Sequence, residues 1–151
     1  MAATARPGRY TWPLRSGDFQ GGHVNNVRFQ EFSQEARMAW YRERLDELGP
    51  RVPPALARSV NLEFLAPIPD GATHVWADVE VVRVGTTSFT VRSHIGSPST
   101  GEQPVAVVDT VLVVTGEDGR PAPLTDDERR ALQAGPHTSA EAGAPGTEEK
   151  S

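Results

Sequence analysis

The chain has 151 residues, 37% of them hydrophobic and 7% aromatic, which suits one domain and is too short for two ordinary ones. Its 20 acidic against 15 basic side chains give a formal net charge of −5, so no basic excess points to nucleic-acid binding. The absence of cysteine excludes a disulfide framework, a thiol nucleophile and a thiolate-bound metal, and no apolar run approaches the roughly 18 residues of a membrane span.

In chain order, residues 1–8 read as a flexible polar lead without the apolar stretch of a signal peptide, so a cytoplasmic, water-soluble protein is expected. Tyr10 to Leu14 reads as a first strand, and Pro13 within it argues for a sheet edge. A glycine-containing loop, Arg15 to Gly22, leads to a helix over Val27 to Leu48, with Asn25 or Asn26 as its cap and Gly49-Pro50 as its stop. Phe29, Phe32, Ala36 and Trp40 recur at helical spacing and form its apolar face. The period then changes to two in Val60 to Leu65, and Val75 to Val84, Ser88 to Ile95 and Val105 to Thr115 are further Val- and Thr-rich strands. Thr125-Asp126-Asp127-Glu128 is a capping box ahead of a short last helix, and residues 134–151 read as a disordered tail.

One strand, one long helix and an antiparallel meander of at least four strands make an α+β domain over residues 9–133. A single helix covers one face of such a sheet, so a partner subunit is expected to bury the remainder, in a homodimer or homotetramer.

Gly22-His23-Val24-Asn25-Asn26 is a loop running into a helix start, where free N–H groups and the helix dipole favour developing negative charge. The same residues also suit a plain cap and turn. No His, Asp and Glu cluster has metal-ligand spacing, and neither a phosphate loop nor a Gly-x-Ser-x-Gly elbow occurs, so neither metal nor cofactor is expected.

The run Trp12-Pro13-Leu14-Arg15 … Gly22-His23-Val24-Asn25-Asn26-Val27-Arg28-Phe29 … Glu35-Ala36-Arg37 resembles the 4-hydroxybenzoyl-CoA thioesterase-like branch of the hotdog superfamily. Leu62-Glu63-Phe64-Leu65-Ala66-Pro67, Val84 to Phe89 and Val111 to Val114 with Gly119-Arg120-Pro121 extend the resemblance over residues 9–133 in the family's order. It implies a hotdog fold, with about five antiparallel strands wrapped around one long central helix and active sites shared between the chains of a dimer. It also implies hydrolysis of an acyl-CoA, with a thioester on an acyl-carrier protein as the alternative substrate. A protein that binds acyl thioesters without cleaving them is the competing class.

Onto the family's site the chain places Gly22, Val24 and Asn26 as substrate-binding positions, and His23 and Asn25 beside the thioester. The family's acidic loop reads Asp-x-Asp-x-x-Gly-His, and its catalytic Asp is the second. In register from Trp12, Asp18 matches the first Asp and Gln20 the second, with the loop one residue short; a deletion placed earlier puts Asp18 in the catalytic place. Asp18 is the only carboxylate in the loop and is taken as the attacking or water-activating group, with Gln20 as a water-positioning amide. Arg37 resembles a helix arginine of hotdog thioesterases that lack the acid, and it also suits an ordinary solvated helix position. Glu35 is a spare carboxylate. Arg58, Arg83 and Arg92 are cations for CoA phosphates or simply for solvent.

Overall fold

The computed structural model describes residues 8–46 and 53–134. Its elements run β1 (Arg9–Pro13), β2 (Phe19–Gln20), β3 (His23–Val24), α1 (Asn26–Leu45), β4 (Ala55–Phe64), β5 (His74–Val84), β6 (Ser88–Gly96), β7 (Ala106–Val114) and α2 (Asp126–Gln133). The expected helix stop at Gly49-Pro50 and the expected disordered tail beyond residue 134 lie outside the described residues.

Five antiparallel strands form one sheet in the order β1-β5-β6-β7-β4. Pro13 does lie on an edge strand, because β1 pairs only with β5. The expected four-strand meander needs correction: β5, β6 and β7 are neighbours in sequence and space, but β4 crosses to the far edge and pairs with β7. The strand expected from Val60 also begins earlier, at Ala55, with a bulge at Arg58 where the pairing shifts between Ala57 and Ser59.

α1 packs on one face of the sheet. Phe29, Ala36, Trp40 and Leu45 are buried against Val75, Ala77, Val91, Ile95, Val108 and Leu112. The buried stripe of the helix also carries three polar residues, Ser33, Arg37 and Arg44. Arg37 is therefore not a solvated surface arginine; it is 8% exposed.

The opposite face of the sheet carries two cross-strand ion pairs. Arg9 holds Asp78 through two hydrogen bonds of 2.7 and 2.9 Å, and Arg92 holds Asp109 through two of 2.8 and 2.9 Å. The Arg92 guanidinium keeps the Asp109 carboxyl below the ordinary carboxylate range. A depressed carboxyl stabilises the fold above its unfolded pKa of about 4 and loses that contribution as pH falls through its folded value. Arg92→Gln should therefore lower the unfolding free energy from urea titration at pH 7, by less than about 1 kcal/mol for a pair this exposed, and by progressively less as the pH falls below the carboxylate range.

Candidate functional site

The loop ahead of α1 is built by three local devices. A short 3-10 turn, Ser16–Asp18, is closed by Asp18, whose Oδ2 accepts the Arg15 N–H at 2.8 Å. Next, β2 and β3 form a hairpin through Gly21 and Gly22 at φ +68° and +94°. Two positive φ values in a two-residue turn match the twist of the flanking strands and strain any residue with a Cβ. Last, Asn25 caps the helix, its Oδ1 accepting the Val27 N–H at 3.0 Å, an interaction worth about 1 kcal/mol.

These devices bring most of the sequence-predicted residues together. The Asn25 N–H donates to the Asp18 carbonyl at 2.8 Å, and Asn25 Nδ2 donates to Gln20 Oε1 at 2.8 Å. Gln20 pairs with His23 across the hairpin. His23 is half-buried, with Nδ1 3.1 Å from the Val24 carbonyl. Val24 is buried and donates its N–H to the Ile68 carbonyl at 2.8 Å, while Gly22 and Asn26 are exposed. The site is thus one hydrogen-bonded cluster at a helix N-terminus, where the dipole favours negative charge.

Arg37 stands apart. Twelve residues of helix separate it from the cap, about 18 Å at 1.5 Å per residue. It lines a cavity of about 660 Å³ between the middle of α1 and the start of β4, together with Met38, Tyr41, Leu56 and Leu112. Burial pushes its guanidinium below the ordinary value. Glu35 is exposed on the helix. Arg92, considered for phosphate binding, is engaged with Asp109.

Two participants escaped sequence reasoning. Arg28 reaches back so that its Nε lies 3.3 Å from Asp18 Oδ1, holding the carboxylate against the helix start. Asp70, in the turn before β5, donates its N–H to the Gly22 carbonyl at 3.0 Å, and its Oδ2 lies 4.0 Å from where a Cβ on Gly22 would be. A second carboxylate therefore flanks the hairpin. Neither pairing follows a helical or strand period, so only the fold reveals it. Among the described residues no group of three or more His, Asp or Glu side chains is placed to share a metal ion, and no helix is long and apolar enough to cross a membrane.

Comparison with known proteins agrees with this architecture. Residues 21–102 match the family model described as the thioesterase superfamily. A thioesterase from Thermus thermophilus, solved with coenzyme A and zinc, superposes with a TM-score of 0.69 at 27% identity, covering 83% of this chain and 97% of its own. A thioesterase-superfamily protein from Jannaschia gives 0.69 at 22%, covering 82% and 79%. A 1,4-dihydroxy-2-naphthoyl-CoA thioesterase from Synechocystis gives 0.66 at 18%, covering 84% and 96%. A search of curated proteins finds no match. A family match that runs over more than half of the chain, from the glycine hairpin to the loop after β6, makes this chain a member of the thioesterase superfamily, in its hotdog fold.

Proposed function

We propose that the chain hydrolyses an acyl thioester, an acyl-CoA in the first place, at the start of α1. The observation that carries this reading is the Asp18 carboxylate, fixed by the Arg15 N–H and by Arg28 at the mouth of the loop and tied through its backbone to the Asn25 cap. The Asp18 carboxylate takes a proton from water while the water oxygen attacks the thioester carbonyl carbon. The oxyanion so formed lies against backbone N–H groups of the hairpin and the first helical turn, with Gly22, Val24 and Asn26 shaping its seat. His23, Asn25 and Gln20 line the same mouth and orient the substrate. The C–S bond then breaks, and the thiolate leaves with the proton that Asp18 had taken. Free-thiol detection against a panel of acyl-CoAs tests the reading. Saturable thiol release supports it, and binding of acyl-CoA without release would make the chain a thioester-binding protein instead.

The assembly proposed is a homodimer through β4, alone or as half of a tetramer. β4 is a ten-residue edge strand with exposed apolar side chains, Leu56 at 61%, Val60 at 39% and Phe64 at 44%, and Leu65 beyond it at 55%. A long apolar edge left open pairs with other chains, and a second copy of β4 satisfies it in a closed, two-fold way. Val60→Glu, which sets two like charges at that junction, should convert the dimer to a monomer by light scattering at micromolar concentration. A wild-type chain that is already monomeric there would exclude both the dimer and a shared site.

A further inference from the structure

The bulge in β4 makes that strand self-complementary. Ala55, Ala57, Val60, Leu62 and Phe64 stand opposite Val114, Leu112, Thr110, Val108 and Ala106 of β7, all of them buried, so these five share the face that carries α1. Leu56, Ser59, Asn61 and Glu63 share the other face. Arg58 is the extra residue, and without it Ala57 would change faces. With Arg58 skipped, the strand is symmetric about Val60. Antiparallel pairing with a second copy then sets Val60 against the partner's Val60, Leu62 against the partner's Ala57 and Phe64 against the partner's Ala55. Away from the axis, each large side chain on that face meets a small one. On the other face Asn61 meets the partner's Ser59, and Glu63 comes diagonally beside the partner's Arg58, within reach of a long side chain. Glu63 and Arg58 are both exposed, and neither has an ion-pair partner among the described residues.

We propose that two copies pair through β4 in this register, and that the partner's Phe64 closes the cavity beside Arg37. This rests on the dimer reading above and adds its register and the occupant of the cavity. α1 packs chiefly over β5 and β6, which leaves β4 as a shelf beside the helix. Ala55 and Ala57 form one wall of the cavity there, with Gln34, Met38 and Arg42 on the helix side. The partner's Phe64, set against Ala55, stands at the open side of that space. Arg37 makes one long hydrogen bond among the described residues, from Nη1 to Thr110 Oγ1 at 3.4 Å, and an aromatic ring is a partner that a buried guanidinium accepts. Within its own chain Phe64 lies edge-on to Phe29, with 5.4 Å between ring centroids, and is still exposed. One ring therefore joins the first turn of α1 in its own chain to the cavity of the other.

The chain has no cysteine, so introduced thiols report the register directly. Opposed residues of an antiparallel pair have Cα atoms about 4.5–5.5 Å apart, within disulfide range. Val60→Cys alone should form a disulfide-linked dimer on mild oxidation. After subunit exchange, Leu62→Cys should crosslink to Ala57→Cys and not to Arg58→Cys. Phe64→Ala should raise the dimer dissociation constant roughly 100-fold, for loss of an aromatic anchor from two equivalent pockets. Because Phe64 also touches its own Phe29, the exposed charges supply an arm that leaves the fold alone. Glu63→Arg should weaken the dimer by roughly 3- to 10-fold, and Arg58→Glu in the same chain should restore it. A monomeric wild type would remove the dimer and the proposal together. A wild-type dimer in which Val60→Cys stays unlinked, or in which Leu62→Cys finds Arg58→Cys instead of Ala57→Cys, would keep a dimer and overturn this register. A dissociation constant unmoved by Phe64→Ala would overturn the place of that ring beside Arg37, and one that Arg58→Glu fails to restore would overturn the diagonal pair.

Discussion

Asp18→Asn should lower kcat on the best acyl-CoA by roughly 10²- to 10⁴-fold, the usual contribution of a general base. The substitution keeps size and shape, and an amide oxygen still accepts the Arg15 N–H that Asp18 Oδ2 accepts at 2.8 Å. The loop geometry should therefore survive. What is lost is the negative charge facing Arg28, whose Nε lies 3.3 Å away in a partly exposed pair, so the stability change should be about 1 kcal/mol. KM should move little, because a proton transfer used in the transition state appears in kcat. Three comparisons make the result specific. Gln20→Ala removes the acceptor of the Asn25 amide and should cost much less. Asp70→Asn, beside Gly22, should stay within a few-fold of wild type. His23→Ala reports on the ring alone, since the backbone amides of the hairpin remain. A large loss in Asp70→Asn with a small one in Asp18→Asn would move the base to the turn before β5. Small losses in both would remove the loop carboxylate from the mechanism and leave the oxyanion seat as its centre.

The elements that were legible in the sequence are those with one face buried and one exposed. β5, β6 and β7 alternate because α1 covers one side of them, and burial is what a period of two records. The Thr125 capping box announced α2 because both of its hydrogen bonds are local, each spanning three residues. β4 was caught only from Val60 because Ala55-Leu56-Ala57-Arg58 carries no apolar–polar alternation in its sequence. Its place at the far edge was not legible either: local pattern says that a strand forms, and long-range packing says which neighbour it takes. The hairpin inside the predicted loop was foreshadowed by Gly21-Gly22 but not by any apolar period, since each of its strands has two residues. At the site, the loop residues came together because they are neighbours in sequence. Arg28 and Asp70 were missed, and Arg37 was left open between roles, because charge says nothing of depth until the helix is docked. Trp76 shows the same limit. Its burial on the ion-paired face of the sheet depends on a glycine in the next strand, a dependence that no single segment contains.

That glycine carries a large expected stability effect. Gly96 pairs with Trp76 across β5 and β6, and the indole lies flat over the position a side chain would take. A Cβ on Gly96 would stand 2.3 Å from Trp76 Cζ2 and 2.7 Å from Cε2, closer than real Cβ atoms come. The ring cannot simply retreat, because the Arg9 guanidinium carbon sits 4.0 Å from its centroid on a side chain held by Asp78. The role of Gly96 is therefore room for a neighbour rather than backbone freedom. Gly96→Ala should cost about 2–3 kcal/mol, as overpacking does when a rigid group is displaced. That corresponds to a fall in Tm of roughly 5–10 °C. Because the ring is the obstacle, the same substitution in a Trp76→Leu background should cost less than about 0.5 kcal/mol, a coupling that a double-mutant cycle measures directly. Gly96→Ala tolerated in the wild-type background would mean that the indole does not lie over β6. Equal costs in the two backgrounds would place the strain in the backbone of β6 instead of against Trp76.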